Sequence, residues 1–384
     1  MVNKGNSMKK HICFINSAFS RDDALIVYRQ GASLIRAGYR VSYLMCDGLP
    51  DETKNGIEIK SVGRKANGIR ERVFDNSRFF KRFLKNYHAD IYQISEPELL
   101  PLGLYLKRKG NTVIYNLREY YPDYYARKVK NGFARKIIFN TCERYLSYCA
   151  GHLDGLLNCM PEMREYIERV MPCRYFADVA NFPVVNKDFN LSYYEYASRK
   201  KIISYFGSIY TISCQEEFLE ALQDFPEVRY LLAGVFYTKE YKEVCEKMPA
   251  WKQVDFVDGF TREELPGIIN SSIIGNVVKD FDQTETPEGS YSIIKIFETM
   301  EAAVPVILAK VPLYEKMVEK YHCGICVHPH SVEDFRNAIR FLLENPEAAY
   351  EMGQNGRRAV LEEFSWDSQE KNYLYVINEL SKEA

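Results

Sequence analysis

At 384 residues the chain is too long for one ordinary hydrophobic core and divides naturally into two domains of under 200 residues. Its composition is globular, 46% hydrophobic and 27% charged, and a formal net charge of -1 lacks the basic surplus that a nucleic-acid partner demands. No run nears eighteen apolar residues, the first apolar run is too short for a signal peptide, and ten scattered cysteines fit reduced thiols, so a cytoplasmic protein is expected.

Apolar strand-like runs alternate with helical-period segments twice over, the mark of two parallel sheets. In the first half, strands are predicted at 11–16, 40–46, 57–61, 90–94, 112–116, 154–158 and 175–180. Helices are predicted between them at 22–37, 70–86, 98–109, 127–149 and 161–170. Gly38 ends the first helix just before the second strand. A polar stretch over 186–200 is read as a linker, which sets domains at 1–185 and 201–365. The alternation then restarts with strands at 201–206, 228–233, 253–257, 273–277, 304–308 and 323–327. The helices of this half are expected at 214–224, 238–247, 261–270, 290–302, 312–320, 331–343 and 346–363, with a final one at 366–382.

Neither half carries a G-x-G-x-x-G fingerprint or a G-x-x-x-x-G-K-[ST] phosphate loop. Two doubly wound domains of this kind bind ligands at their strand ends, so chemistry is expected between them. His322, Cys323, Cys326, His328 and His330 lie close in sequence, but alternation along a short strand sends them to different faces. No metal site is therefore expected, and no D-x-D motif is read at a strand end.

The most informative stretch is Ser290-Tyr-Ser-Ile-Ile-Lys-Ile-Phe-Glu-Thr-Met-Glu-Ala-Ala-Val-Pro-Val-Ile-Leu308. As a helix from Ser290 it places Ser292, Lys295 and Glu298 on one face, opposite an apolar stripe. Its amino end, among Gly289, Ser290 and Ser292, offers free amides and a positive dipole end to an anion such as pyrophosphate. Lys295 adds a point charge there, and Glu298 is suited to accept hydrogen bonds from ribose hydroxyls. An ordinary Lys–Glu surface pair is the alternative.

This segment resembles the donor-site motif of glycosyltransferase family 4, S-P-N-K-L-F-E-Y-M-A-A-G-x-P-V-I. Ser292, Lys295, Ile296, Phe297, Glu298, Met300, Ala302, Ala303, Pro305, Val306 and Ile307 carry the likeness, and the motif's Pro, Asn and Gly are read at Ile293, Ile294 and Val304. Tyr205-Phe-Gly207-Ser208 after the first strand of that half, Leu231-Leu-Ala-Gly234, Phe256-Val-Asp-Gly259 and Phe364-Ser-Trp366 fall in the family's order. The resemblance implies an α/β fold of the GT-B type: two Rossmann-like, doubly wound domains facing across a cleft, with the helix 366–384 crossing back to the first. It also implies a retaining, metal-independent transfer from a UDP- or GDP-linked nucleotide sugar to a saccharide or lipid-linked acceptor, with no other cofactor. Glu298 would hold the ribose, and Gly207, Ser208, Gly234, Gly259, Ser290, Ser292 and Lys295 would surround the donor.

Two features depart from the family. Its second glutamate, eight positions before the ribose-binding one, is Ser290 here, with Glu285 and Glu288 nearby. The loop Gly207–Gln215 lacks the basic pair that grips donor phosphates, which leaves Lys295 and Lys279 to neutralise them. In the first half, Ile91-Tyr-Gln-Ile-Ser-Glu96-Pro-Glu98 and Val113-Ile-Tyr-Asn-Leu-Arg118-Glu119-Tyr-Tyr-Pro122 resemble acceptor-domain motifs of the family. Arg118 stands where the family has His, and Glu119 matches its Glu. Arg118 cannot be a base, so it would stabilise the departing phosphate or orient the acceptor. A structural Arg118–Glu119 ion pair is the alternative. Asp22 and Asp23 would bond sugar hydroxyls or cap a helix, and Glu96 is placed on the acceptor side.

From Arg64 to Lys85 eight basic residues oppose two acids, interleaved with Phe74, Phe79, Phe80 and Phe83, and a second basic run spans Arg127 to Lys136. Such a face suits an anionic membrane surface, with the protein peripheral on the inner face of the cell membrane. The alternative is a core-facing set of phenylalanines with solvated charges. Two other functions stay open: a silent nucleotide-sugar-binding partner subunit, and a nucleotide-sugar epimerase, which would need a paired acid and base that the sequence does not display.

Overall fold

The computed structural model describes residues 10–282 and 286–383, and Ile69 by its backbone only. The chain forms two compact units: Met1–Asn181 with Trp366–Ala384, and Phe182–Ser365.

In the first unit the strands are β1 (His11–Asn16), β2 (Arg40–Asp47), β3 (Glu52–Lys54), β4 (Ile57–Arg64), β5 (Ile91–Ile94), β6 (Thr112–Leu117), β7 (Gly155–Asn158) and β8 (Tyr175–Asp178). They form one sheet in the order β3-β4-β2-β1-β5-β6-β7-β8. All neighbours are parallel except β3 and β4, which form an antiparallel hairpin at the edge. The three-residue β3 has no apolar pattern, so the sequence did not announce it. The predicted helix at 127–149 is two, Tyr121–Ala126 and Gly132–Gly151, because Asn131 caps the second by accepting from Ala134 N at 3.0 Å.

Parallel strands need cover on both faces, and this sheet has it. One face packs Phe80, Leu99, Leu102, Leu106, Leu146 and Cys149 over Cys13, Tyr92 and Tyr115. The other packs Leu25, Leu34 and the helix Trp366–Glu383 over Ile12, Phe14 and Ile114. That last helix seats Tyr373, Val376, Ile377 and Leu380, and Trp366 donates from Nε1 to Ser33 Oγ at 2.9 Å.

The second unit holds β9 (Ile202–Phe206), β10 (Arg229–Gly234), β11 (Val254–Asp258), β12 (Ile274–Asn276), β13 (Val306–Ala309) and β14 (Gly324–Val327). They lie all parallel in the order β11-β10-β9-β12-β13-β14. Residues 186–200, expected as a linker, are part of this unit. Ser192 and Glu195 cap the helix Tyr193–Ala197 reciprocally, and Tyr196 donates from its hydroxyl to Ile273 O at 2.9 Å. The Ser-x-x-Glu signature was in the sequence, hidden by its polar surroundings.

The key helix is shorter than predicted, Ile294–Glu301 rather than 290–302. Gly289 sits at φ +104°, and the Tyr314 hydroxyl meets both the N–H (3.4 Å) and the carbonyl (2.8 Å) of Ser290. Those bonds hold residues 290–293 out of the helical path.

Trp366 is 1% exposed, so Trp366→Ala should cost about 3–5 kcal/mol. Circular dichroism in urea should show the first unit unfolding earlier, while Trp251 fluorescence reports an unchanged second unit.

Candidate functional site

In an open parallel sheet the ligand crevice lies beyond the carboxyl ends of the strands, where the strand order reverses. In the first unit that point falls between β1 and β5, and in the second between β9 and β12. The residues following those strands are the ones the sequence singled out.

After β1 the chain turns at Ser17-Ala18, and after β5 it reaches Ser95-Glu96. Glu96 is 3% exposed, and its Oε1 accepts from Ser17 N (3.0 Å) and Ala18 N (2.8 Å). Its buried Oε2 has no hydrogen-bond partner among the described residues. Burial, and then the neighbouring Glu98 carboxylate, push the Glu96 carboxyl up to about 8 against the pull of the two amides. Glu96 therefore keeps its proton above the ordinary carboxyl range. Glu98 is buried as well, held by Ser17 Oγ at 3.1 Å and by Arg72 at 3.3 Å.

Arg118, just past β6, pairs with Asp23 at 2.9 Å and lies 4.0 Å from the Phe19 ring centroid. Arg118 thus has an ion pair with Asp23, a partner the sequence did not single out for it; Glu119 itself is exposed. Asp23 takes the capping role considered for it, since its Oδ1 accepts from Ile26 N at 2.9 Å at the start of the helix, while its other carboxylate oxygen meets Arg118. Asp22 turns elsewhere, toward Lys54 and the Tyr28 hydroxyl.

In the second unit the glycines build a narrow edge. Gly207 stands at φ +108° and donates to Ala233 O at 2.9 Å. Gly234, at φ +153°, leaves no room for a side chain: a Cβ there would lie 1.8 Å from Gly207 O. Gly259 N donates to Gly234 O at 3.2 Å, so the three turns after β9, β10 and β11 are tied together. Lys295 reaches this edge from its helix. Its Nζ would sit 3.4 Å from a Cβ on Gly207 and donates to Tyr205 Oη at 2.8 Å. Tyr205 in turn donates to Ser208 O at 2.8 Å, which fixes both the loop and the lysine.

Three residues along the same helix, Glu298 is 7% exposed and its carboxylate accepts from Arg262. Arg262, in the loop after β11, was not foreseen. The only signal for it is a basic residue three positions past Gly259. The structure does not assemble the whole expected donor set. Ser290 is buried and held by Tyr314, and Ser292 is exposed, so neither lies within the helix whose first turn they were expected to form. Of the two acids near the missing glutamate, Glu288 is exposed and Glu285 lies outside the described residues. The left-handed residue is Ala303, at φ +54°, so the motif's glycine corresponds to Ala303 and not to Val304.

Of the cysteines and histidines over 322–330, Cys323 is buried, His328 bonds Asp334, and His330 bonds Glu217 at 3.0 Å. A D-x-D sequence does stand beyond β12, Asp280-Phe-Asp282, and with His330 its atoms lie within metal-binding spacing. Glu217 and then Asp280 raise the His330 pKa above the ordinary imidazole value.

Residues 194–359 match the family model described as glycosyl transferases group 1. Among solved structures, sucrose-phosphate synthase from Thermosynechococcus elongatus is 17% identical, with a TM-score of 0.73 over 98% of this chain and 100% of that one. HepE from Anabaena, solved with UDP-glucose, is 14% identical with a TM-score of 0.72 over 96% and 100%. WaaG, a glycosyltransferase involved in lipopolysaccharide biosynthesis, is 14% identical with a TM-score of 0.69 over 95% and 99%. A search of curated protein sequences finds no match. The fold is that of the GT-B glycosyltransferases, two α/β domains with parallel sheets. The match to the group 1 glycosyl transferase model falls within the second unit.

A buried Glu96 gives stability a pH dependence whose sign follows from its raised pKa. Between the ordinary carboxyl range and pH 8 the folded chain binds one more proton here than the unfolded chain, so stability falls as pH rises, by up to about 1.4 kcal/mol per pH unit. Glu96→Gln keeps the acceptor for Ser17 and Ala18 and removes the proton. Melting curves from pH 5 to 8 should show the variant gaining on the wild type as pH rises.

Proposed function

We propose that the chain is a retaining, metal-independent glycosyltransferase that moves a sugar from a UDP- or GDP-linked donor to a polysaccharide or lipid-linked saccharide. The observation that carries this is Glu298: a carboxylate 7% exposed, beside the glycine edge, within the segment that matches the group 1 family model. A buried carboxylate needs hydrogen-bond donors, and ribose hydroxyls can join Arg262 in that role. Lys295 and the turns at Gly207 and Gly234 receive the diphosphate, so the leaving group departs toward fixed positive charge. The likeness to HepE, solved with UDP-glucose, agrees with a nucleotide-sugar donor.

In this reading the first unit recognises the acceptor. Arg118 keeps its proton near neutrality and, paired with Asp23, acts as a fixed hydrogen-bonding group for sugar hydroxyls, not as a base. Retention by front-face attack asks for positioning and leaving-group stabilisation, which these residues supply. A second reading, a nucleotide-sugar-binding subunit without turnover, is favoured by the Asp23 carboxylate neutralising Arg118; donor hydrolysis or transfer excludes it.

A thermal-shift panel of UDP, GDP, ADP and their sugars tests the donor assignment, since only a bound ligand stabilises. One of them should raise the melting temperature, and Glu298→Ala should weaken its binding on the order of 100-fold. An unchanged shift in that variant rejects the ribose assignment.

The proposed second partner is an anionic membrane. No helix among the described residues is long and apolar enough to cross one. Of the four phenylalanines in the first basic run, Phe80 is buried, Phe79 and Phe83 pack on the core, and Phe74 alone is exposed. The second run is the better candidate. The helix Gly132–Gly151 buries only Leu146, Cys149 and Ala150, leaving Phe133 (77% exposed) and Ile137 beside Arg135 and Lys136. Co-sedimentation with phosphatidylglycerol vesicles at low salt should be lost in a Phe133→Ser/Ile137→Ser double variant. Equal binding to neutral vesicles would end the idea.

A further inference from the structure

The loop Gly207–Gln215 holds no basic residue, yet a nucleotide-sugar donor brings two phosphate charges to this edge. Lys295 supplies one compensating charge. Glu298 adds a negative one nearby, three residues along the same helix face. A second cation is needed, and one stands against Glu298.

Arg262 is held in a fixed turn. Thr261 donates to Glu264 Oε2 from both its backbone N (2.7 Å) and its hydroxyl (2.9 Å), and Glu264 N donates back to Thr261 Oγ1 at 3.3 Å. Phe260, on the other side, packs edge-on against Phe206 at the end of β9 and joins a buried cluster with Ala302 and Val304. The turn is thus anchored both to the glycine edge and to the end of the helix that bears Glu298. From it the Arg262 side chain, 32% exposed, binds Glu298 through Nη2. Its Nη1 and Nε make no hydrogen bond among the described residues.

We propose that Arg262 is a donor-binding residue with two simultaneous roles: Nη2 holds Glu298 in place for the ribose, and the remaining guanidinium N–H groups bind the donor diphosphate. The inference rests on the donor reading above. The pentose and the first phosphate of a nucleoside diphosphate are joined through a single methylene, so a guanidinium bonded to the ribose-holding carboxylate adjoins the phosphate as well. Arginine suits this bridge because its planar fork presents donors on two edges at once, which an ammonium does not. Arg262 and Lys295 together set two positive charges against the diphosphate and Glu298 from positions outside the glycine loop. This explains how that loop dispenses with basic residues.

The test compares a nucleoside diphosphate with its own nucleoside. Titration calorimetry measures wild type, Arg262→Gln and Arg262→Lys against UDP or GDP, whichever stabilises the wild type, and against uridine or guanosine at millimolar concentration. The expected result is that Arg262→Gln lowers the preference for diphosphate over nucleoside at least tenfold, with partial recovery in Arg262→Lys. Two results overturn the proposal. An equal loss for both ligands makes Arg262 only a positioning residue for Glu298, and no loss for either makes the ion pair structural. Should Arg262→Gln fail to fold, the preference of Arg262→Lys decides, since a bridge requires it to fall. A wild type that binds no nucleoside diphosphate refutes the donor reading itself, and this inference with it.

Discussion

A parallel sheet discharges all its strands at one edge, and that constraint organises everything functional in this chain. Each strand must return by a crossover, so the loops that follow the strands gather on one side while the return loops gather on the other. The backbone at that edge leaves its hydrogen-bond ladder and needs new partners. In the first unit Glu96 and Asn16 side chains receive the amides of Ser17, Ala18 and Phe19. In the second the backbone partners itself, turn against turn, through Gly207, Gly234 and Gly259. The two solutions leave two different surfaces.

Those surfaces differ in chemistry. The edge of the first unit is acidic and buried, with Glu96, Glu98 and Asp23 set against Arg118 and Arg72. Its strand-end amides are already occupied by a carboxyl group, which disfavours an anionic ligand at that loop. The edge of the second unit is side-chain-free backbone flanked by Lys295 and Arg262, which favours one. This contrast agrees with the proposed division into a unit for a hydroxyl-rich acceptor and a unit for a phosphate-bearing donor.

Much of this was legible in the sequence because parallel strands are nearly continuous apolar runs and their helices keep a clear period. β1, β5 and β9 were placed to within a residue at either end. What stayed hidden depends on contacts distant in sequence. The helix at Ile294 starts four residues late because of Tyr314, and nothing within 290–302 encodes that. Arg262 finds Glu298 across 36 positions, and Arg118 finds Asp23 across 95, so neither pairing has a local signature. The left-handed backbone at Ala303 was assigned one residue too far along because only glycine announces such a turn, and here alanine occupies it.

The proton held by Glu96 ties the first unit to its medium. A carboxyl raised by burial keeps its proton over part of the range in which exposed carboxylates have lost theirs. Mild alkalinity, which draws that proton away, should therefore loosen the unit that holds it before it touches the other.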